Sequence, residues 1–304
     1  MLNLLITGSN SFLGKRLFQK INKNRYDVYG IDINSSKVKQ RNHKFKRIDL
    51  NNKNIKIFHG NFDIIIHLAA ISNETKCKFN VSNCYNTNIN GTINLLENTN
   101  LKRLKKFIFA SSEWIYPASN KISNSNSRVD INKFVSHYAS TKYLNEKLLN
   151  IYSNKHDFIN INLRFGILYG ERLNNLSAFE SLIMQTFKTK VNSKIMVGSF
   201  KTGRSYLYVN DAVEAILKSL ITRKSLNYDI QGPEFITLRK ILQITSKLLN
   251  KKINIKEIDN QNKNIKKIDS EISKKNLNWH PKITPEKGIL RILDYFKKEL
   301  KNEI

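Results

Sequence analysis

Tyr138-Ala-Ser-Thr-Lys142 is the stretch of this 304-residue chain whose residue types and spacing could do chemistry. On a helix, residues four apart share a face, so the phenol and the ammonium point the same way. A phenol has an ordinary pKa of about 10 and is a poor base at neutral pH. A fixed cation beside it favours the phenolate and lowers that value by about one unit or more. Tyr138 could then take a proton from an alcohol or return one to a carbonyl, and Lys142 could also hold the hydroxyls of a nicotinamide ribose. The same spacing arises by chance in many helices, where it only packs a surface. Ser112 ends the apolar run Lys106-Phe-Ile-Phe-Ala-Ser-Ser, and its hydroxyl could orient the same substrate oxygen. Glu113 could serve as an acid or base, or as a hydrogen-bonded residue at the rim.

The elements that must position these groups begin at the N-terminus. Leu2 to Ile6 reads as a strand, Gly8 and Gly14 as a tight turn, and residues 11–23 as a helix. Strand, glycine turn and helix start make a phosphate-binding element, because free N–H groups at a helix N-terminus face an anion. The three-glycine dinucleotide fingerprint is matched only in part. Ser11 stands at the second position, small enough for close approach and able to donate its hydroxyl. Asp32 ends a second strand 24 residues past Gly8. A carboxylate there can accept from the adenosine ribose hydroxyls and would repel the extra phosphate of NADP. Lys37, Lys39 and Arg41 keep NADP open, and Asp32 also suits a plain turn. Further strands are expected at 45–50, 63–70, 106–112 and 160–166, with helices at 83–98 and 137–153. Ala69-Ala70 has side chains small enough for a cofactor to lie against the backbone. This alternation implies right-handed crossovers and an α/β fold, a doubly wound parallel sheet of the Rossmann kind. Residues 1–165 are expected to form that domain, with a segment near 204–230 returning to it. Residues 166–304, with strands at 194–198 and 204–211 and helices at 177–188, 212–220, 238–249 and 286–298, should form a smaller α/β lobe over the C-terminal strand ends.

The formal charge is +28, and the apolar fraction of 40% is modest because Asn, Lys and Ile are used throughout. Such a field concentrates anions. A dedicated nucleic-acid site usually interleaves basic residues with aromatics. The densest basic stretch, residues 37–47, does not, and a solvated face suits it better. Cys77 and Cys84 are seven apart, with no Cys-x-x-Cys and no clustered His, so neither a metal site nor a disulfide is expected. No basic leader precedes the first apolar run and no segment is long enough to span a bilayer, so a cytoplasmic protein is expected.

Glycine turn, ribose carboxylate, serine at a strand end and Tyr/Lys helix occur in the order one hydride-transfer site needs. In these motifs the chain resembles the extended short-chain dehydrogenase/reductases, the NAD-dependent epimerase/dehydratase family. Thr7 to Gly14, Asp49, His67-Leu-Ala-Ala, Asn88-Ile-Asn-Gly-Thr, Ala110-Ser-Ser-Glu-Trp-Ile-Tyr, Arg164-Phe-Gly-Ile-Leu-Tyr-Gly and Gly203 to Asp211 carry the likeness, as does Trp279-His-Pro-Lys. The resemblance implies NAD held by Gly8, Ser11, Phe12, Leu13, Gly14, Asp32, Asp49, Leu50, Leu68, Ala69, Ala70, Asn88, Tyr138 and Lys142. It implies catalysis by Ser112, Tyr138 and Lys142, and substrate contacts from Ser112, Glu113 and Arg204, the last gripping a diphosphate. The family's usual substrates are nucleotide-sugars, and its members commonly form homodimers through the Tyr138 helix and its neighbour. A nucleotide-sugar epimerase acting at C4 through a keto sugar is the first expectation. A reductase of a keto sugar is the alternative. Trp114 replaces the second acid of the 4,6-dehydratases, which argues against elimination of water, and a dinucleotide-sensing or RNA-associated protein rests on charge alone.

Overall fold

The short apolar runs of the first half pair into one sheet of seven strands. They are β1 (Leu2–Thr7), β2 (Tyr26–Asp32), β3 (Lys44–Arg47), β4 (Ile64–His67), β5 (Lys106–Ser112), β6 (Ile159–Phe165) and β7 (Leu226–Ile230), in the spatial order β7-β6-β5-β4-β1-β2-β3. The computed structural model describes residues 1–35, 44–53, 55–58, 60–119, 121–134, 136–259, 261 and 264–300. Lys37, Lys39 and Arg41 lie outside them. β1 runs parallel to β2 and β4, β2 to β3, and β4 to β5. Leu4, Leu5, Ile6, Ile65 and Ile66 are fully buried. Runs apolar on both faces are what a strand covered on both sides requires. The strand order reverses between β1 and β4, and the crevice beyond their C-terminal ends is where open α/β sheets bind ligands.

Six helical pieces accompany this sheet: α1 (Phe12–Lys20), α2 (Glu74–Phe79), α3 (Val81–Tyr85), a π turn over Asn86–Asn90, α4 (Gly91–Glu97) and α5 (His137–His156). Ser11 caps α1 by accepting from Gly14 N. Ser136 caps α5 by accepting from Ala139 N, and Asp157, in the left-handed region at φ 56°, ends it. The expected helix at 83–98 is thus three pieces, and α2 was not expected.

The chain divides into two units. The first holds Met1–Ile115, Arg128–Arg164 and Val213–Tyr228; the second holds Tyr116–Ser127, Phe165–Ala212 and Asp229–Ile304. The later helices are α6 (Ala178–Lys188), α7 (Val209–Ser219), α8 (Leu238–Leu248), α9 (Glu271–Leu277) and α10 (Pro285–Glu299). The second unit packs Phe179, Ile183, Tyr206, Ile241, Ile289 and Phe296 into one core. Residues 204–211, expected as one strand, are two dipeptides, Gly203–Arg204 and Leu207–Tyr208, and α7 starts at Val209. The Trp279 motif is held there: its indole Nε1 donates to Asp211 O at 2.9 Å, and Asp211 Oδ2 accepts from Lys282 N and Ile283 N. No helix among the described residues is long and apolar enough to cross a membrane.

Cys77 and Cys84 form a disulfide, which corrects the expectation from their spacing. On a continuous helix seven residues span about 10 Å. Here Asn80 ends α2 and caps α3, and the break brings the two Cα atoms to 5.0 Å, within bonding range. Both sulfurs are fully buried. The oxidised chain should be two hydrogens lighter than the reduced chain by intact mass spectrometry. Cys84→Ser should lower stability by about 2–3 kcal/mol in urea unfolding, the closure entropy of a short loop.

Candidate active site

β5 and α5 bring Ser112, Tyr138 and Lys142 together, all three buried. The Ser112 hydroxyl lies beside the Tyr138 phenol and favours its ionised form. Its Oγ also accepts from Trp114 N at 3.3 Å, which fixes the hydroxyl at the strand end. Lys142 Nζ donates to Ala110 O at 2.7 Å and stands 4.8 Å from the centre of the Phe109 ring and 5.7 Å from that of Tyr138. Trp114 meets the Tyr138 ring edge to face. Glu113 is buried beside this group, and its charge acts on the phenol.

The electrostatics differ from the sequence expectation. Burial pushes the Tyr138 phenol up to about 12; the neighbouring Ser112 hydroxyl opposes this and the Glu113 charge adds to it. Burial likewise pushes Lys142 down to about 7, against the Glu146 carboxylate, which favours its charged form. Desolvation penalises phenolate and ammonium alike, so burial outweighs the cation effect expected from Tyr-x-x-x-Lys alone. Glu146, one further helical turn along α5, is held by Arg164 at 2.7 and 2.9 Å and by Ser111 Oγ at 2.5 Å. Reading escaped it, though Tyr138, Lys142 and Glu146 share the four-residue period of one helix face.

The glycine turn has the form expected. Gly8 has φ +67°, and a Cβ there would lie 2.8 Å from Ala69 N; a Cβ at Gly14 would lie 2.2 Å from Gly8 O. Only glycine serves at either place. Leu13 is buried, and Phe12 carries the Arg16 guanidinium 4.3 Å above its ring. The Ser11 Oγ accepts from Gly14 N as the cap of α1 and keeps its own proton to donate. Asp32 Oδ2 accepts from Asn10 N and Oδ1 from Asn34 N, each at 2.9 Å, so its carboxylate ties the turn to β2. A carboxylate has about four acceptor positions, which leaves room for ribose hydroxyls. Asp49 accepts from Asn51 N, and Leu50 O accepts from Asn94 Nδ2. Leu68 N donates to Thr7 O and Ala69 N to Thr7 Oγ1, with Ala70 following on the same partly buried segment. Gly30, which drew no attention in the sequence, lets Phe18 and Ser9 close on β2, since a Cβ would meet each at 2.9 Å.

Asn88 is buried in the π turn. Its Oδ1 accepts from Ile71 N, and its Nδ2 donates to Ile71 O and to Thr141 Oγ1. Arg204 belongs to the second unit, where it is buried. Its guanidinium donates to Gly203 O at 2.8 Å and to Asn264 Oδ1 at 2.6 Å. Among the described residues no cluster of three or more His, Cys, Asp or Glu could hold a metal.

A dinucleotide fits these residues: the glycine turn opens a helix at the strand-order reversal, with a carboxylate at the end of β2 on one side of β1 and Ser112, met by Tyr138 and Lys142 of α5, at the end of β5 two strands away on the other side. Residues 4–230 match the NAD dependent epimerase/dehydratase family, and the chain belongs to it. It is an NAD-dependent enzyme of that superfamily. A UDP-glucuronate 4-epimerase of Thermodesulfobacterium geofontis is 27% identical, over 97% of this chain and 96% of the relative. A putative UDP-glucose 4-epimerase of Methanocaldococcus jannaschii is also 27% identical, over 97% and 98%. The crystal structure of UDP-glucose 4-epimerase from Thermotoga maritima with UDP-glucose superposes with a TM-score of 0.86 at 24% identity, over 98% of this chain and 100% of that one.

Asn88→Ala leaves several buried donors and acceptors unmatched and should cost about 2–4 kcal/mol in urea unfolding. Lys142→Met removes a buried ammonium and should stabilise the fold by about 1–3 kcal/mol below pH 7. Folding lowers the Lys142 pKa from 10.5 to about 7, so the unfolded chain binds more protons between those values and the penalty is relieved as pH rises. The gain from Lys142→Met should therefore shrink above pH 7, which thermal melts across pH will read.

Proposed function

We propose that this enzyme interconverts UDP-sugars that differ in configuration at C4. The reading rests on one observation above all: Ser112, Tyr138 and Lys142 meet at the end of β5. The 4-epimerase names of the relatives support the position of the reaction. In this reading Tyr138 Oη takes the proton of the sugar hydroxyl as its carbon is oxidised, and returns it once the keto sugar presents its other face. Bound NAD supplies the hydride acceptor and donor. Ser112 donates to the reacting oxygen and orients it. Lys142, fixed by Ala110 O and backed by Glu146, stabilises the phenolate and bonds the nicotinamide ribose. Gly8, Gly14 and the start of α1 take the pyrophosphate, and Asp32 takes the adenosine ribose. Phe12, Leu13, Asp49, Leu50, Leu68, Ala69, Ala70 and Asn88 line the cofactor, Glu113 the sugar, and Arg204 the diphosphate. Absence of a second acid beside Glu113 speaks against dehydration.

We also propose a homodimer formed through α5. Leu144 and Ile151 stand 45% and 65% exposed on that helix, and apolar groups so placed suit a covered face.

Purified protein incubated with UDP-glucose or UDP-glucuronate, without added cofactor, should form the C4 epimer, followed by NMR. Tyr138→Phe should lower turnover by about 10²–10⁴-fold with the fold intact. Absence of interconversion for every UDP- and GDP-sugar tried would sink the epimerase reading, and steady consumption of added NADH by a keto sugar would replace it with the reductase.

A further inference from the structure

We infer that Glu74, which is not among the reacting side chains, is a positioning residue for Tyr138, extending the cap that Ser136 gives α5; this rests on the reading of Tyr138 as the proton-transfer group. Glu74 opens α2. Its Oε2 accepts from Tyr138 N at 3.1 Å and from the Ser136 hydroxyl. Ser136 Oγ accepts in turn from Ala139 N at 3.0 Å. One carboxylate therefore satisfies the amide of the reacting residue itself and orients the hydroxyl that caps the next one. The first amides of a helix have no intrahelical acceptor, and a carboxylate there also faces the positive end of the helix dipole.

Two further observations make this a device for holding Tyr138 in place. The Cys77–Cys84 disulfide ties α2 to α3 and packs, fully buried, against Tyr138 together with Ile71 and Trp114. α3 leads into the π turn, where Asn88 Nδ2 donates to Thr141 Oγ1, and Thr141 Oγ1 donates to Tyr138 O at 2.8 Å. Thus Glu74 receives the amide of Tyr138, Thr141 donates to its carbonyl, and the disulfide packs against the residue. Glu74 is the one charged member of this frame. A small displacement of a reacting group costs rate without loss of substrate affinity.

Glu74→Ala, Glu74→Gln and wild type should be compared for turnover, KM, melting temperature and amide hydrogen exchange. Glu74→Ala should lower kcat by about tenfold to a hundredfold, with KM within about twofold, and should speed exchange in the first turn of α5. Glu74→Gln keeps an oxygen able to accept both bonds and should recover most of the rate. Wild-type kcat in Glu74→Ala overturns the inference, as does a rate loss in both variants that only follows their melting temperatures. The reaction reading fails separately, if the wild type turns over no sugar nucleotide. Unchanged exchange at Tyr138 in Glu74→Ala then still overturns the clamp.

Discussion

A buried chain of hydrogen bonds joins the glycine turn to the helix of Tyr138, and the geometry of the first unit depends on it. Ala69 N donates to Thr7 Oγ1, and Thr7 is bonded to His67 Nδ1 at 2.6 Å. His67 Nε2 meets Thr92 Oγ1 at 3.0 Å, and Thr92 donates to Asn88 O. Each hydroxyl has a single proton, so the direction is set: Thr7 donates to Nδ1, and Nε2 carries the imidazole proton. Burial pushes His67 down to about 3, which keeps it neutral, as a ring that must both accept and donate has to be. Asn145 Nδ2 also donates to Asn88 O. Two side-chain donors on one carbonyl draw it from the helical ladder, and the π turn lies there. From Asn88 the chain passes through Thr141 to Tyr138 O. A missing link would leave a buried group unsatisfied at about 1–3 kcal/mol, so the turn and the phenol are set by one network rather than separately.

The buried charges follow the same logic. Glu146 and Arg164 are almost wholly enclosed, and such a pair adds little net stability because both ions lose water. It does fix the carboxylate one turn from Lys142. Ser111 Oγ bonds that carboxylate while its neighbour Ser112 lies beside the phenol. β5 therefore ends in adjacent hydroxyls in different surroundings, one on the Glu146 carboxylate and one beside the phenol. Burial pushes Lys142 down to about 7, against the Glu146 carboxylate beside it. Any anionic or acceptor group brought to the site restores its charge.

The sheet was legible because buried parallel strands read as short apolar runs, and α5 because its polar and apolar positions follow a helical period. The alignment of Ser112, Tyr138 and Lys142 needed only two local patterns and their order. What escaped reading depends on distances the sequence does not carry. The Tyr138 and Lys142 pKa values turn on burial depth, which no spacing reveals. Cys77 and Cys84 meet because Asn80 breaks a helix between them, and a one-residue break leaves little compositional mark. Glu74 caps a helix 62 residues away, beyond any local capping pattern. The sequence offered Ser11 as a ligand contact and did not show that it also caps α1. Residues 204–211 alternate like a strand, yet Val209 already begins α7 because Asp211 is needed inside to hold the Trp279 segment.

Acidic side chains are few in this chain, and many of those described hold interior donors. Asp63 accepts from Asn3 N and pairs with Lys105 at 3.1 Å. Glu180 gathers Gly170 N, Arg172 and Ser177 N. Asp229 accepts from the Tyr116 hydroxyl at 3.0 Å. With 24 acids against 52 bases, carboxylates committed in this way neutralise little of the lysine-rich surface. The +28 charge is therefore a property of the exterior, spread rather than focused, and it needs no nucleic acid to account for it. A field of this sign draws a nucleoside diphosphate toward the protein from any side. A diffuse field of this kind does not discriminate among anions; selectivity needs buried, oriented groups.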